Sequence, residues 1–136
     1  QAGKFREAVM DYNTFFDAVS GDVTALFYFQ REQAEMQCRM YQQALNDINK
    51  AVEMAPEDVD FLVEKGSVHL RVNQLDEAIA AFNKAISMND KYAAAYRMLG
   101  YCQAMQKKNK EACANFAKAK ELGDDVVDQL IEKYCK

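Results

Sequence analysis

The sequence predicts an all-α fold built from stacked pairs of antiparallel helices, and two observations carry this prediction. An alanine-anchored pattern returns at a fixed spacing, with Ala44, Ala78 and Ala112 following each other at intervals of 34 residues. Composition agrees, because five glycines and one proline among 136 residues are too few for a turn-rich β domain. Half of the residues are apolar, which is enough to build a hydrophobic core.

Each anchor alanine opens the same apolar pattern. The pattern continues with a large apolar residue four positions later, a second alanine three positions further, and a proline or aspartate five positions beyond that. These positions hold Ile48, Phe82 and Phe116, then Ala51, Ala85 and Ala119, then Pro56, Asp90 and Asp124. Spacings of four and three residues place the apolar side chains on one helical face. The alanines let a neighbouring helix approach closely, so we expect the units to stack.

A first helix precedes each anchor and ends near a turn. The predicted turns are Arg39-Met40, Asn73-Gln74 and Lys108-Asn109. We expect Pro56 in the first turn of the helix that follows it, because a proline there removes no hydrogen bond. Asp90 and Asp124 suit a turn or an N-cap, where a carboxylate accepts from free backbone amides.

The two ends of the chain are predicted from the same pattern. Residues 3–8 indicate a turn that enters a second helix, with an insertion of two residues near positions 20–22. The apolar face of that helix is Ala8, Tyr12, Phe15 and Phe16. Residues 125–134 predict a last helix whose inner face is Val127, Leu130, Ile131 and Tyr134. Such a helix would cap the stack.

This combination of positions resembles the tetratricopeptide repeat (TPR) family. Besides the alanine pattern and Pro56, the matching first-helix residues are Tyr28, Leu62 and Tyr96, followed four positions later by Gly66 and Gly100 in two of the units. The resemblance implies a right-handed superhelix, or α-solenoid, that forms one domain over residues 1–136. Its parts are a half repeat at 1–24, repeats at 25–58, 59–92 and 93–126, and a capping helix at 125–135. The half repeat lacks its first helix, so we expect a fragment of a longer protein.

The first helices depart from the family pattern at positions that normally hold apolar or small residues. Charged or polar side chains occupy several of them, namely Arg31, Glu32, Glu35, Lys65, His69 and Gln103. Because buried charge is costly unless it is paired, we predict a partly buried ladder through Arg31, Glu32, Glu35, Lys65 and His69. The alternative is a local register shift that leaves these side chains in solvent.

In this family, peptides bind in a concave groove lined by the first helices, so the resemblance implies a groove here. Its residues would be Phe29, Gln33, Met36, Gln37, Val63, Ser67, Leu70, Arg71, Arg97, Met98, Tyr101 and Met105, with Asp60 and Ala94 beside them. We expect a non-catalytic interaction module or scaffold that holds a peptide or helix of a partner protein. The alternatives are a structural spacer in a longer repeat array and a module that self-associates through its ends.

One subclass of the family does not fit this chain. Members that grip the terminal carboxylate of chaperone tails use Lys and Asn, a further Asn, then Lys and Arg. The equivalent positions here hold Phe29, Gln33, Glu64, Ala94 and Met98. The carboxylate clamp is therefore predicted to be absent.

Composition also limits the partners and the chemistry. A formal net charge of −4 argues against a nucleic-acid binder, and no apolar run approaches the ~18 residues of a membrane span. We expect no cofactor, no metal and no enzymatic activity, because the single histidine, His69, and four cysteines without a CxxC pair assemble no site. The cysteines are predicted to be small apolar fillers within helices. Free thiols favour a cytoplasmic location, with a periplasmic one left open.

Overall fold

A computed structural model describes residues 2–18 and 24–136, with side chains for residues 3–11 and 24–136. Every regular element in these parts of the chain is a helix. In chain order the helices are α1 (Ala2–Ala18), α2 (Ala25–Gln37), α3 (Tyr41–Met54), α4 (Val59–Arg71), α5 (Leu75–Met88), α6 (Ala93–Met105), α7 (Asn109–Glu121) and α8 (Val127–Tyr134).

The helices pack most extensively within the pairs α2–α3, α4–α5 and α6–α7, and successive pairs stack through α3–α4 and α5–α6. Helix α1 packs on α2 at one end, and α8 packs on α7 at the other. The fold is thus an all-α solenoid of helix pairs, as the sequence predicts. The three pairs lie within residues 25–58, 59–92 and 93–126, and the division of the chain into repeats at those boundaries stays a prediction.

The alanine pattern forms the core of the stack. All of its alanines and large apolar residues are 0% exposed, namely Ala44, Ile48, Ala51, Ala78, Phe82, Ala85, Ala112, Phe116 and Ala119. The prediction that these positions share one buried helical face is therefore confirmed. The three large side chains, Ile48, Phe82 and Phe116, each belong to one of the three core clusters of the stack.

Two glycines make room for the large residues of the pattern. A Cβ atom added at Gly66 would lie 2.5 Å from Cε1 of Phe82, and one added at Gly100 would lie 2.7 Å from Cε1 of Phe116. In the unit that contains Ile48, the position equivalent to these glycines holds Glu32, which is 0% exposed. The unit with a side chain at this position, Glu32, therefore has the smaller isoleucine in its core. The two units with glycine there have phenylalanine.

The turns within each pair depend on a left-handed backbone at one residue. Arg39, Asn73 and Lys107 have φ angles of 59°, 61° and 63°. The third turn therefore lies one residue earlier than predicted. A left-handed conformation is unfavourable for a side chain with a Cβ, and asparagine tolerates it best among the three.

Two predictions about helix starts are wrong. Pro56 is not in the first turn of α4, because that helix begins after the N-cap Asp58, whose side chain accepts from the amide of Phe61 at 3.3 Å. Residues 3–8 are not a turn, because α1 already begins at Ala2. Val9 is the buried residue of α1 among those with described side chains. The predicted apolar residues Tyr12, Phe15 and Phe16 and the insertion at 20–22 lie outside the described side chains.

Helix α8 covers the last pair with the face that the sequence predicts. Val127 is fully buried, and Leu130, Ile131 and Tyr134 pack against the core of α6 and α7. The ring of Tyr134 lies 6.3 Å from that of Phe116.

The prediction that all four cysteines are apolar fillers is wrong for one pair. Cys113 in α7 and Cys135 after α8 form a disulfide across 22 residues of chain. The packing of α8 on α7 brings the two together, which no spacing in the sequence indicates. Cys102 is a buried member of the core, as predicted, whereas Cys38 is half-buried at the C-cap of α2. A stable disulfide is typical of an oxidising environment and removes the thiol argument for a cytoplasmic location.

Candidate functional site

The first helices of the pairs, α2, α4 and α6, line two adjoining clefts. One has a volume of about 510 Å³ and is lined by Gln33, Met36, Gln37, Arg39, Tyr41, Glu64, Ser67, Leu70, Arg71 and Met98. The other has a volume of about 460 Å³ and is lined by Leu70, Arg71, Arg97, Met98, Tyr101, Met105, Val126, Gln129 and Leu130. We call them the polar cleft and the apolar cleft. Because they share Leu70, Arg71 and Met98, they form one continuous groove.

The two clefts differ in the chemistry of their walls. The polar cleft presents the amides of Gln33 and Gln37 and the hydroxyl of Ser67, which donates to the carbonyl of Val63 at 3.1 Å. In the apolar cleft, Met105 and Val126 remain 41% and 64% exposed. Apolar side chains left in solvent beside a concave surface are typical of protein contact sites.

Most of the residues predicted to face the groove do line it. They are Gln33, Met36, Gln37, Ser67, Leu70, Arg71, Arg97, Met98, Tyr101 and Met105. The other two line neither cleft. Phe29 packs against the ring of Phe61, with centroids 5.1 Å apart, and Val63 is buried in the core between α4, α5 and α6. Each lies four residues before a residue that lines the groove, Gln33 or Ser67, so helical spacing alone does not separate core from groove at these positions.

Several groove residues were not predicted. Arg39 comes from the turn between α2 and α3, and Tyr41 is the first residue of α3. Val126, Gln129 and Leu130 come from α8 and the residue before it. The repeat pattern gives no signal for these positions, because it describes only the faces on which helices pack. Asp60, predicted beside the groove, instead accepts a hydrogen bond from the Tyr92 hydroxyl. Burial, together with this contact to Asp60, raises the pKa of Tyr92 to about 12.

The arginines of the groove are not equivalent. Arg97 Nε donates to Asp124 at 2.6 Å, and Asp124 also accepts from the amide of Val126 at 3.0 Å. This pair ties α6 to the segment that leads into α8. Arg71 and Arg39 are exposed and form no ion pair with another described residue. They carry the positive charge of the polar cleft.

A cluster of carboxyl groups lies behind the polar cleft, between α2, α3 and α4. Arg31 makes two contacts of 2.6 Å with Asp47, through Nε and Nη2. Glu35 lies against Asp47, and Glu32 lies against Glu64. Glu32 is 0% exposed and Glu35 is 4% exposed. Of these carboxyl groups, Asp47 and Glu35 lie beside the guanidinium of Arg31.

Burial and crowding change the acidity of this cluster. Burial raises the pKa of Glu32 to about 9, helped by the neighbouring Glu64. Burial also raises the pKa of Glu35 to about 9, helped by a hydrogen bond to Asp47 and opposed by Arg31. The pKa of Glu64 is raised by burial as well. At neutral pH, Glu32 and Glu35 therefore hold protons that they donate to the neighbouring carboxylates.

The predicted polar ladder is correct in its burial and wrong in its partners. Arg31 pairs with Asp47 of α3, not with Glu35 of its own helix. His69 joins no carboxylate, because its Nδ1 lies 2.7 Å from Oε1 of Gln74. Lys65 lines a separate cleft near His69. The main partner of Arg31 is Asp47, which lies in the second helix of the pair. A comparison of the first helices alone therefore does not predict it.

The raised pKa of Glu35 predicts how stability varies with pH. A carboxyl whose folded pKa exceeds its unfolded value stabilises the fold fully below pH ~4.5, and that contribution is lost as pH rises toward about 9. We expect Glu35→Gln to reduce this loss and to raise the free energy of unfolding at pH 8 by about 1–2 kcal/mol. Urea titrations at pH 5, 7 and 8 measure it. Glu53→Gln, at an exposed position of α3, is the control, and equal pH dependence in both variants would contradict the buried-proton account.

Neither the histidine nor the buried thiol has the surroundings of an activated group. His69 is 8% exposed and hydrogen-bonded to Gln74, and burial raises the pKa of Cys102 to about 11. A thiol with a raised pKa stays protonated and is a poor nucleophile. Among the residues with described side chains, no group of three His, Cys, Asp or Glu is placed to hold a metal ion. None of the helices described combines the length and apolar character of a membrane span.

Curated proteins are similar to this chain in sequence, and solved structures are similar to it in fold. Sperm-associated antigen 1 from Mus musculus is 32% identical over 87 residues, which cover 64% of this chain and 9% of that protein. The chain therefore spans less than a tenth of the length of this curated relative. The solved structure of YrrB, a TPR protein described as having an unusual peptide-binding site, has a TM-score of 0.86 at 19% identity and covers 96% of this chain and 67% of its own.

A second solved structure was determined with a ligand. It is the first TPR of Spaghetti (RPAP3) bound to the HSP90 peptide SRMEEVD, with a TM-score of 0.78 at 19% identity over 82% of this chain and 90% of that one. A family model described as tetratricopeptide repeat matches residues 33–91 and 63–126, which together make up more than half of the sequence. With the helix pairs and the buried alanine pattern, this match shows that the chain belongs to the tetratricopeptide repeat family.

Proposed function

We propose that the chain binds an extended peptide segment of a partner protein in the groove, with an apolar side chain of the peptide in the apolar cleft. Domains of this family are typically non-catalytic scaffolds for protein–protein interaction. The observation that carries the proposal is the continuous groove, in which Met105 and Val126 leave apolar surface in contact with solvent. Two proteins of the same fold are described as binding a peptide or having a peptide-binding site, which supports it.

The ligand is expected to differ from a chaperone tail. The positions where clamp-type members carry Lys, Asn and Arg hold Phe29, Gln33, Glu64, Ala94 and Met98 in this chain. None of these five side chains is positively charged. Phe29 packs on Phe61, and Met98 lines both clefts. We therefore propose that the affinity for the peptide comes from contacts in the apolar cleft and not from recognition of the peptide's terminal carboxylate.

The test begins with peptides selected from a random library displayed on phage against the whole chain. We expect Tyr101→Ala to weaken binding of a selected peptide by about tenfold or more, because large aromatic side chains in a cleft contribute strongly to binding. Met105→Ser should weaken it as well. Met88→Ser is the matched control, since Met88 is similarly exposed near the C-terminal end of α5.

Fluorescence anisotropy with labelled peptide gives the affinities, and circular dichroism checks that each variant keeps its helices. Failure to select any peptide, or selected peptides that bind the Tyr101 and Met105 variants as tightly as the unmodified chain, would overturn the proposal. The first outcome would favour a structural segment of a longer array. The second would place the binding surface outside the groove.

A further inference from the structure

The Glu32–Glu64 pair differs from the other carboxyl pair of the cluster in having no cation. Glu35 and Asp47 have Arg31, which is held by Asp47 through two contacts of 2.6 Å. Glu32 and Glu64 form no ion pair within the described part of the chain. Among the described residues, a proton held between their carboxyl groups is what neutralises the pair.

The buried member of this pair is incompletely satisfied. Glu32 is 0% exposed, its Oε2 accepts from Nε2 of Gln33 at 3.3 Å, and its Oε1, like Oε1 of Glu35, accepts from no N–H or O–H donor among the described residues. A buried oxygen without a donor destabilises a fold, and the one on Glu32 belongs to the pair that has no cation.

The pair opens toward the polar cleft. Gln33 and Glu64, the two side chains that contact the Glu32 carboxyl, both line that cleft, whose volume of about 510 Å³ is ample for a long side chain. The Glu35–Asp47 pair has no such opening into the groove, since neither residue lines it. Only the pair without a cation therefore faces the groove.

The arginines of the same cleft do not occupy this position. Arg71 lies two helical turns after Glu64 on α4, and Arg39 lies in the turn after α2. Neither forms an ion pair with Glu64 in the described residues. Glu64 therefore lines the cleft as a hydrogen-bond acceptor, and the guanidinium groups of Arg39 and Arg71 lie at other positions of its lining.

We infer that the polar cleft is a subsite for a positively charged side chain, lysine or arginine, of the bound peptide, with Glu64 as its direct partner and Glu32 as the buried countercharge. This inference rests on the proposed function and assigns it a ligand class. When the cation enters, the proton shared by the two carboxyl groups leaves to solvent, and the charge of the pair is balanced by the ligand. Gln33, fixed by its contact with Glu32, offers its amide oxygen as a second acceptor.

The experiment extends the peptide selection to matched chains. Phage selection runs in parallel on the unmodified chain, on Glu64→Gln and on Glu57→Gln, which removes an exposed carboxyl before α4. We expect lysine or arginine to be enriched at one position of the peptides selected by the unmodified chain and by Glu57→Gln, and the enrichment to disappear with Glu64→Gln.

A synthetic pair of peptides then isolates the charge. One selected peptide is made with arginine at the enriched position and again with citrulline, which has nearly the same shape without the charge. We expect the citrulline peptide to bind the unmodified chain about tenfold more weakly. The two peptides should bind Glu64→Gln with nearly equal affinity, because that substitution removes the direct partner of the cation. Glu32→Gln leaves Glu64 in place and should keep part of the difference.

The outcomes separate this inference from the proposed function. Selected peptides that bind in the groove without a basic preference, or a preference that persists in Glu64→Gln, would overturn the inference and leave the proposed function intact. Failure to select any peptide counts against both. Loss of the preference in Glu57→Gln as well would show a general effect of negative charge instead of a subsite, and would also overturn the inference.

Discussion

Replacing Phe82 by alanine is expected to lower the free energy of unfolding by about 3–5 kcal/mol, the range found for buried aromatic truncations. Phe82 is 0% exposed and fills the space above Gly66 at the centre of the stack. The helix pairs on both sides depend on it, because repeat stability comes mainly from contacts between neighbours. Urea titration followed by circular dichroism measures the loss. Leu26→Ala is the control, since Leu26 is 55% exposed, and an equal loss in both variants would show that Phe82 is not in the core.

The contact with Gly66 can be tested in the same titration. Gly66→Ala alone should be destabilising, because its Cβ would lie 2.5 Å from Cε1 of Phe82. In the background of Phe82→Leu, the added methyl group meets a smaller side chain, so the penalty of Gly66→Ala should shrink. Additive effects of the two substitutions would contradict direct contact between these positions.

Replacing Arg31 by methionine is expected to lower the free energy of unfolding by about 3–5 kcal/mol at pH 8, because the buried charge of Asp47 loses its partner. Arg31 and Asp47 have side chains that are 14% and 6% exposed, and Arg31 also opposes the raised pKa of Glu35. Without it, the contact between Asp47 and Glu35 has no cation among the described residues.

The control for Arg31→Met is Lys50→Met on α3. Lys50 and Glu53 lie 3.7 Å apart with side chains that are 58% and 72% exposed, so their pair contributes little. Urea titrations of both variants at pH 8 give the comparison. If Arg31→Met is no more destabilising than Lys50→Met, the carboxyl cluster does not depend on that guanidinium.

The parts of the fold that repeat could be predicted from the sequence. Ala78, Phe82 and Ala85 recur with their equivalents at a fixed interval, and the repetition distinguishes a packing face from chance. The left-handed turn at Lys107 lies 34 residues after the one at Asn73, so the repeat interval gives its position, and the prediction at Lys108-Asn109 departed from that interval by one residue. The start of α4 was misplaced since Asp58 caps it, whereas proline at position 56 is compatible with several positions before a helix.

The groove was predictable where it follows from helix faces and unpredictable where other elements complete it. Gln33, Ser67 and Tyr101 lie on the first-helix face that the resemblance implies. Val126 reaches the apolar cleft only because α8 folds over α7, and no repeat position encodes that approach. The partner of Arg31 was missed for the same reason, since Asp47 belongs to the other helix of the pair.

The disulfide between Cys113 and Cys135 has a consequence for how the solenoid opens. Each helix pair contacts only its neighbours, so the terminal helices exchange with open forms more readily than the middle ones. Helix α8 stays tethered when its packing on α7 is lost, and the short tether keeps it at a high effective concentration for reclosing. Helix α1 packs on α2 with no covalent bond among the described residues. We therefore expect backbone amides near the disulfide to exchange hydrogen more slowly than those of α1.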